Sequence, residues 1–319
     1  MRILDFAYYA LALVPISLAA CTAPQIPMNI PGANSEHVSR QRLSSSNNIL
    51  YVAGSNYVAM FSYPALSPIG TISPGYTLGI GCADNPTGFI YFTANPNSGS
   101  PRLDQYVIGG TTKVGGIQPA KRSTIVGCAA DPTTGNLAVL YTNSNSSYVR
   151  VFRPGSKKGT KYSQTLVNTL YSSTYDGAGN LFVEGWTGSG ATSLIELPAS
   201  SSQFIGISVA GLEQGQLQWD GTDICARVAA DHQRGISPTI QRIQISGSSG
   251  EIIGTTTLKR GYRGTWIQGG TALSGEFGSH KSQNVLFYNY PAGGRPYQTF
   301  GPVGETVEEM IVTGPSSGD

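Results

Sequence analysis

Two histidines, His232 and His280, lie in the polar stretches AADHQRGISP and EFGSHKSQ, which also hold Asp231, Arg234 and Glu276. Between them KRGYRG, Lys259 to Gly264, contributes Arg260 and Arg263. Imidazoles titrate near neutrality and serve as general acids or bases, while guanidinium forks grip carboxylates in pairs of parallel hydrogen bonds. Folded inward, the cluster could bind an anionic or sugar-like ligand or support acid-base chemistry. Left outward, it is the solvated charge of long surface loops. No HxH, HExxH or CxxC spacing accompanies it, so no metal is expected, and no cofactor fingerprint, GxSxG elbow or P-loop occurs.

Other reactive side chains are isolated. Glu184 interrupts LFVEGW, where it is expected to pair with an Arg or to point outward by strand alternation; a partly buried acid with a raised pKa, able to donate a proton, is the alternative. Cys82 and Cys128 recur at equivalent places in IGCADNPTGFIYF and VGCAADPTTGNLAVLY; buried free thiols are expected, with a bridge as the alternative. Cys225 reads as a small core residue. Trp186, Tyr262, Trp266 and Tyr297 could stack on a sugar ring, but packing between strands is the preferred reading.

The elements that must position these groups are short strands. Charged residues make up 12% of 319, against 41 Gly, 19 Pro and 17 Tyr, and this composition reads as all-β. A formal net charge of +2 without a basic run argues against nucleic acid. β-rich runs end at Pro64, Gly109, Pro154, Pro198, Ser246 and Pro291, at intervals of 45, 45, 44, 48 and 45 residues. Turn-opening residues Asp84, Asp131, Asp176, Asp220 and Gln268 follow at 47, 45, 44 and 48. About four runs fit each interval, the pattern of a β-propeller blade.

The first unit, from Ile49, has three runs only, and TVEEMIVT, Thr306 to Thr313, has no unit of its own. The expected fold is therefore a six-bladed β-propeller in which the C-terminal strand completes the first blade. A seven-bladed ring is the alternative. Asp84 and Asp131 are expected to open the hairpin between first and second strands. Gly81, Cys82, Ala83 and Gly127, Cys128, Ala129 are small because innermost strands crowd an axis. In such a ring the second-to-third-strand loops and the connections between blades share one face, which places His232, His280 and KRGYRG together.

At the amino end, Arg2 precedes the apolar run FAYYALALVPISLAAC, too short to span a bilayer comfortably. Its end, Leu18-Ala19-Ala20-Cys21, resembles the lipobox of bacterial lipoproteins. The resemblance implies cleavage after residue 20, a lipid anchor on Cys21 and, from Thr22, an outer-membrane address. Residues 21–47 then form a tether reaching roughly 30 Å, residues 48–314 the propeller and 315–319 a disordered tail. DPTTGNLAV, DGAGNLFV and VLFYNYPAGGRP resemble bacterial propellers of the NHL, SMP-30/gluconolactonase-like and YVTN-like type. No metal ligand or lyase histidine of those groups maps onto a particular residue here. The resulting expectation is an anchored extracytoplasmic module binding a protein, a glycan or a small anion. A lactonase- or lyase-like enzyme and an envelope scaffold are the alternatives.

Overall fold

A computed structural model describes residues 48–314 apart from 55, 75, 96–100, 120–122, 144–145, 230–236, 277–282 and 305. The expected signal, tether and tail lie outside the described residues, as do Cys21, Asp231, His232, Arg234 and His280.

Every regular element among the described residues is a β-strand. In chain order the first are β1 (Asn48–Ala53), β2 (Val58–Tyr63) and β3 (Pro68–Ile72). A meander follows of β4 (Thr77–Asp84), β5 (Phe89–Asn95), β6 (Arg102–Val107) and β7 (Lys113–Ile117). The next comprises β8 (Thr124–Ala130), β9 (Leu137–Thr142), β10 (Ser147–Phe152) and β11 (Thr160–Ser163). Two more follow: β12 (Thr169–Tyr175), β13 (Leu181–Trp186), β14 (Thr192–Leu197), β15 (Ile205–Val209), and β16 (Gln216–Trp219), β17 (Ile224–Val228), β18 (Thr239–Ser246), β19 (Ser249–Thr257). Parallel pairing of β15 with β19 joins these two runs into one eight-stranded sheet. The last meander is β20 (Trp266–Gln268), β21 (Thr271–Gly275), β22 (Val285–Asn289) and β23 (Gln298–Phe300).

The final strand, β24 (Glu309–Val312), returns to β1, pairing Ile311 with Tyr51 and Met310 with Val52. The expected seam is present, though shorter than Thr306–Thr313. The first strands of successive meanders pack against one another, β24 on β4, β4 on β8, β8 on β12 and β12 on β16, with β20 against β24. Between β16 and β20, Gln218 donates to the Ile267 carbonyl at 2.6 Å and accepts from its N–H at 2.9 Å.

The hairpins obey the turn chemistry of their aspartates. Asp131 Oδ1 accepts from Thr133 N at 2.9 Å, Asp176 Oδ1 from Ala178 N at 2.9 Å, and Asp220 Oδ1 from Asp223 N at 2.8 Å. Asp84 caps its turn likewise through Thr87 N at 3.2 Å.

Sheets are covered on both faces, so the middle strands have no solvent side. In β9 and β13 consecutive residues are buried regardless of alternation. Ile90 and Phe92 pack with Ile49 and Tyr51, and Phe182 and Leu194 with Leu217 and Ile243. Leu50 and Val52 meet Leu273 and Phe287.

Two expectations fail for reasons of close approach and of burial. Cys82 and Cys128 are not free thiols but form a disulfide, with Cα atoms 5.8 Å apart, within the span a bridge needs. At Gly81 a Cβ would sit 2.4 Å from the Tyr91 carbonyl oxygen and 2.9 Å from Ile311 Cδ1. Glu184 does not point outward and pairs with no Arg among the described residues; it is fully buried, because β13 is covered on both faces. Of the four aromatics expected to pack inside, Trp266 does so against two core clusters. Trp186 and Tyr297 are exposed instead. Cys225 is a buried free thiol, as expected of a small core residue.

Candidate functional site

The first strands of the meanders enclose a string of cavities. The middle one, about 110 Å³, is bordered by the small residues of β4 and β8 and by Tyr171, Ser172, Gln216 and Arg227. Gly81, Cys82, Ala83 and their counterparts on β8 border this cavity, but the expected crowding is not of the axis: the space beside them is open, and Gly81 is tight against Tyr91 and Ile311 instead.

One end opens into a recess of about 450 Å³ on the side of the aspartate hairpins, where Pro86, Pro132, Trp219, Trp266 and Gln268 make an uncharged rim. The other end opens into a recess of about 420 Å³ lined by Tyr171, Gln216, Arg227, Tyr262, Arg263 and Glu308. That second mouth is framed by the end of β17 and by the connection from β19 to β20, the loop class expected to carry a ligand. Its volume falls in the usual range for small-molecule sites.

Arg227 sits where the middle cavity meets this mouth and lines both. It is 7% exposed. Its guanidinium lies over the Trp266 ring, 5.3 Å from the centroid, and Nε donates to the Gln216 carbonyl at 3.3 Å. The nearest carboxylate oxygen, Glu309 Oε1, is 3.7 Å from Nη1, too long for a hydrogen bond. Glu309 is held by its own partners: Gln216 Nε2 donates to Oε2 at 2.7 Å and Met310 N to Oε1 at 3.3 Å. Burial raises the Glu309 carboxyl above its ordinary range, against the pull of Arg227, and lowers the guanidinium.

The connection KRGYRG reaches the site because Gly264 takes a φ of 60° and lies against β24, where a Cβ would be 2.9 Å from the Glu309 Cα. It places Arg263 at the rim, donating to Glu308 at 2.9 Å, with its guanidinium over Tyr262 at 4.8 Å. Arg260 pairs instead with Glu276, which also accepts from Asn284 Nδ2 at 2.6 Å. Of the residues singled out in the sequence, then, Arg263 joins the mouth, and Arg260 and Glu276 bind each other. Asp231, His232, Arg234 and His280 lie outside the described residues. Among the described residues no three His, Cys, Asp or Glu side chains gather as metal ligands would.

Glu184 stands just behind the mouth. Its two oxygens accept from the N–H of Gly215, a lining residue, at 3.0 and 3.2 Å. Burial pushes its carboxyl up to about 8, only partly opposed by that N–H. Folded Glu184 therefore keeps a proton that the unfolded chain releases from about pH 4.5 upward. Its stabilising contribution is complete below that pH and is lost as pH rises to about 8, a swing on the order of a few kcal/mol. Glu184→Gln keeps an acceptor for Gly215 and removes the charge. Thermal melts at pH 5 and pH 8 should show a flatter pH dependence and a higher midpoint at pH 8 than wild type; identical slopes would contradict this.

Sequence reasoning missed Arg227 and Glu309. The available signal was the one that drew attention to Glu184, a charge inside an apolar strand run: ICARV and EEMIV carry it too.

No protein-family model and no curated protein sequence matches the chain. Solved structures do. A chain of a nidogen/laminin complex superposes with a TM-score of 0.61 at 11% identity, covering 83% of this chain and 98% of that one. TolB from Acinetobacter baumannii gives 0.62 at 10% identity, covering 85% and 67%. A Bacteroides caccae protein of unknown function gives 0.58 at 13%, covering 84% and 99%. These similarities show that the chain has a β-propeller fold.

Proposed function

We propose that the chain is a lipid-anchored, extracytoplasmic, six-bladed β-propeller that works as a binding module, taking its ligand at the mouth around Arg227. The observation that carries the binding reading is that mouth: a recess of about 420 Å³ where two arginines and two tyrosines meet the axial cavity. Rigid strands and short connections position these side chains, as suits recognition by shape and polar complementarity.

The blade count is supported by the strand pairing. Five first strands, β4, β8, β12, β16 and β20, are joined by β24, which supplies the missing first strand of β1–β3. The Asp-Pro and Asp-Gly turns support an NHL, SMP-30 or YVTN-like repeat. Export is supported by Leu18-Ala19-Ala20-Cys21 and by the Cys82–Cys128 disulfide, since such bridges persist mainly in oxidising compartments. Thr22 favours the outer membrane.

One experiment tests anchor and mouth together. Wild type should fractionate with membranes and Cys21→Ser with soluble protein. The soluble full-length mature chain then enters a thermal-shift screen of glycans and small organic acids, beside the same chain carrying Tyr262→Ala. A ligand that stabilises the first and not the second is the expected result. Retention of Cys21→Ser in membranes overturns the anchor, and hits indifferent to Tyr262→Ala overturn the mouth.

A further inference from the structure

We propose that the inner end of this mouth, at Arg227, is a binding site for a small organic acid carrying a single carboxylate. The inference rests on the binding-module reading and names the ligand class for the same site.

Arg227 Nη1 is buried and has no hydrogen-bond partner among the described residues. Buried guanidinium donors are ordinarily satisfied, because leaving one empty forfeits its hydration without replacement. The obvious protein partner does not fill the role: Glu309 stands 3.7 Å off, and both of its oxygens already accept from Gln216 and Met310. Burial works against the charged form of Glu309, while Arg227, Gln216 and the Met310 N–H favour it.

Arg227 lines cavity space along the axis and at the mouth, so an outside acceptor has a route to the guanidinium, and Nη1, itself covered, is met when the side chain turns toward that space. The guanidinium is already oriented by the Trp266 face and by the Gln216 carbonyl, which lowers the ordering cost of binding.

The charge count selects the ligand. At the mouth Arg263 is engaged with Glu308 at 2.9 Å, so among the described residues one buried cation, Arg227, is left to meet an anion. A dianion such as phosphate would bring more charge than Arg227 balances. A monocarboxylate matches it, and its organic body would lie toward Tyr171 and Tyr262, which line the wider recess.

The test uses the full-length mature chain with sodium benzoate as probe. Benzamide is the uncharged isostere and sodium chloride the ionic-strength control. Benzoate is expected to raise the unfolding midpoint of wild type while benzamide and chloride do not. In Arg227→Met the benzoate affinity should fall about 10- to 100-fold, the loss typical of a charge-assisted hydrogen bond. Equal responses to benzoate and benzamide, or an unchanged affinity in Arg227→Met, overturn the proposal. Should that variant fail to fold, wild-type crystals soaked in benzoate decide. A carboxylate within hydrogen-bond distance of Nη1 supports the site; benzoate bound elsewhere, or none bound, overturns it. A neutral ligand from the thermal-shift screen that is lost with Tyr262→Ala, in a protein indifferent to benzoate, would sink the carboxylate and leave the binding module standing.

Discussion

A chain ended at Thr306 is expected to express without a cooperative unfolding transition and to be digested rapidly by proteases. The deletion removes Val307, Met310, Ile311 and Val312, each at most 2% exposed. Burying side chains of this size contributes about 1.5–3 kcal/mol each, so together they approach the about 5–15 kcal/mol that separates most folded domains from their unfolded chains. The loss is not confined to the strand. Without β24, β1 becomes an unpaired edge, and Leu50 and Val52 lose part of the cluster they share with Leu273 and Phe287. Arg227 loses its nearest carboxylate as well.

A milder version, Ile311→Ala, leaves the backbone pairing in place and should cost about 2–5 kcal/mol. Both are read by circular-dichroism melts and limited proteolysis. Addition of a synthetic peptide spanning residues 306–314 should restore protection to the truncated chain. A truncated protein melting cooperatively at the wild-type temperature would show that β24 does not complete the sheet.

Repeat, hairpins and seam were legible in the sequence because each is written in local chemistry. An Asp that caps a turn and an apolar run of strand length need no knowledge of distant neighbours. The C-terminal strand was found by elimination, since β1–β3 lacked a partner that TVEEMIVT could supply. What escaped depends on distances across the ring. Whether Cys82 and Cys128 bridge turns on how closely β4 and β8 approach, a distance that neither strand's own residues reveal.

Arg227 and Glu309, and the preferred placement of Glu184, went astray for a different reason. Alternation along a strand predicts an exposed side chain only when one face of the sheet is wet, and both faces of β13 are packed. The same rule made KRGYRG legible in part. The face assignment brings Arg263 to the mouth, whereas the ion pair between Arg260 and Glu276 is a matter of side-chain geometry.

Replacing both Cys82 and Cys128 by Ser is expected to lower stability by about 2–4 kcal/mol, or about 5–15 °C in unfolding midpoint. The bridge spans 46 residues, a loop long enough for its closure to restrict the unfolded chain substantially. Reductant should lower the wild-type midpoint to that of the double variant and leave the variant unmoved; a wild type indifferent to reductant would mean that the bridge contributes nothing.

The staple also lies beside the seam. A Cβ on Gly81, next to Cys82, would touch Ile311, so β4 packs on β24 at the level of the disulfide. Slackening β4 therefore loosens the contact that Ile311→Ala removes. The two perturbations should not add: combined, they should cost less than the sum of their separate effects, as neighbours sharing one contact surface do. Additivity within about 0.5 kcal/mol in a double-mutant cycle would instead mean that the bridge and the seam stabilise the ring independently.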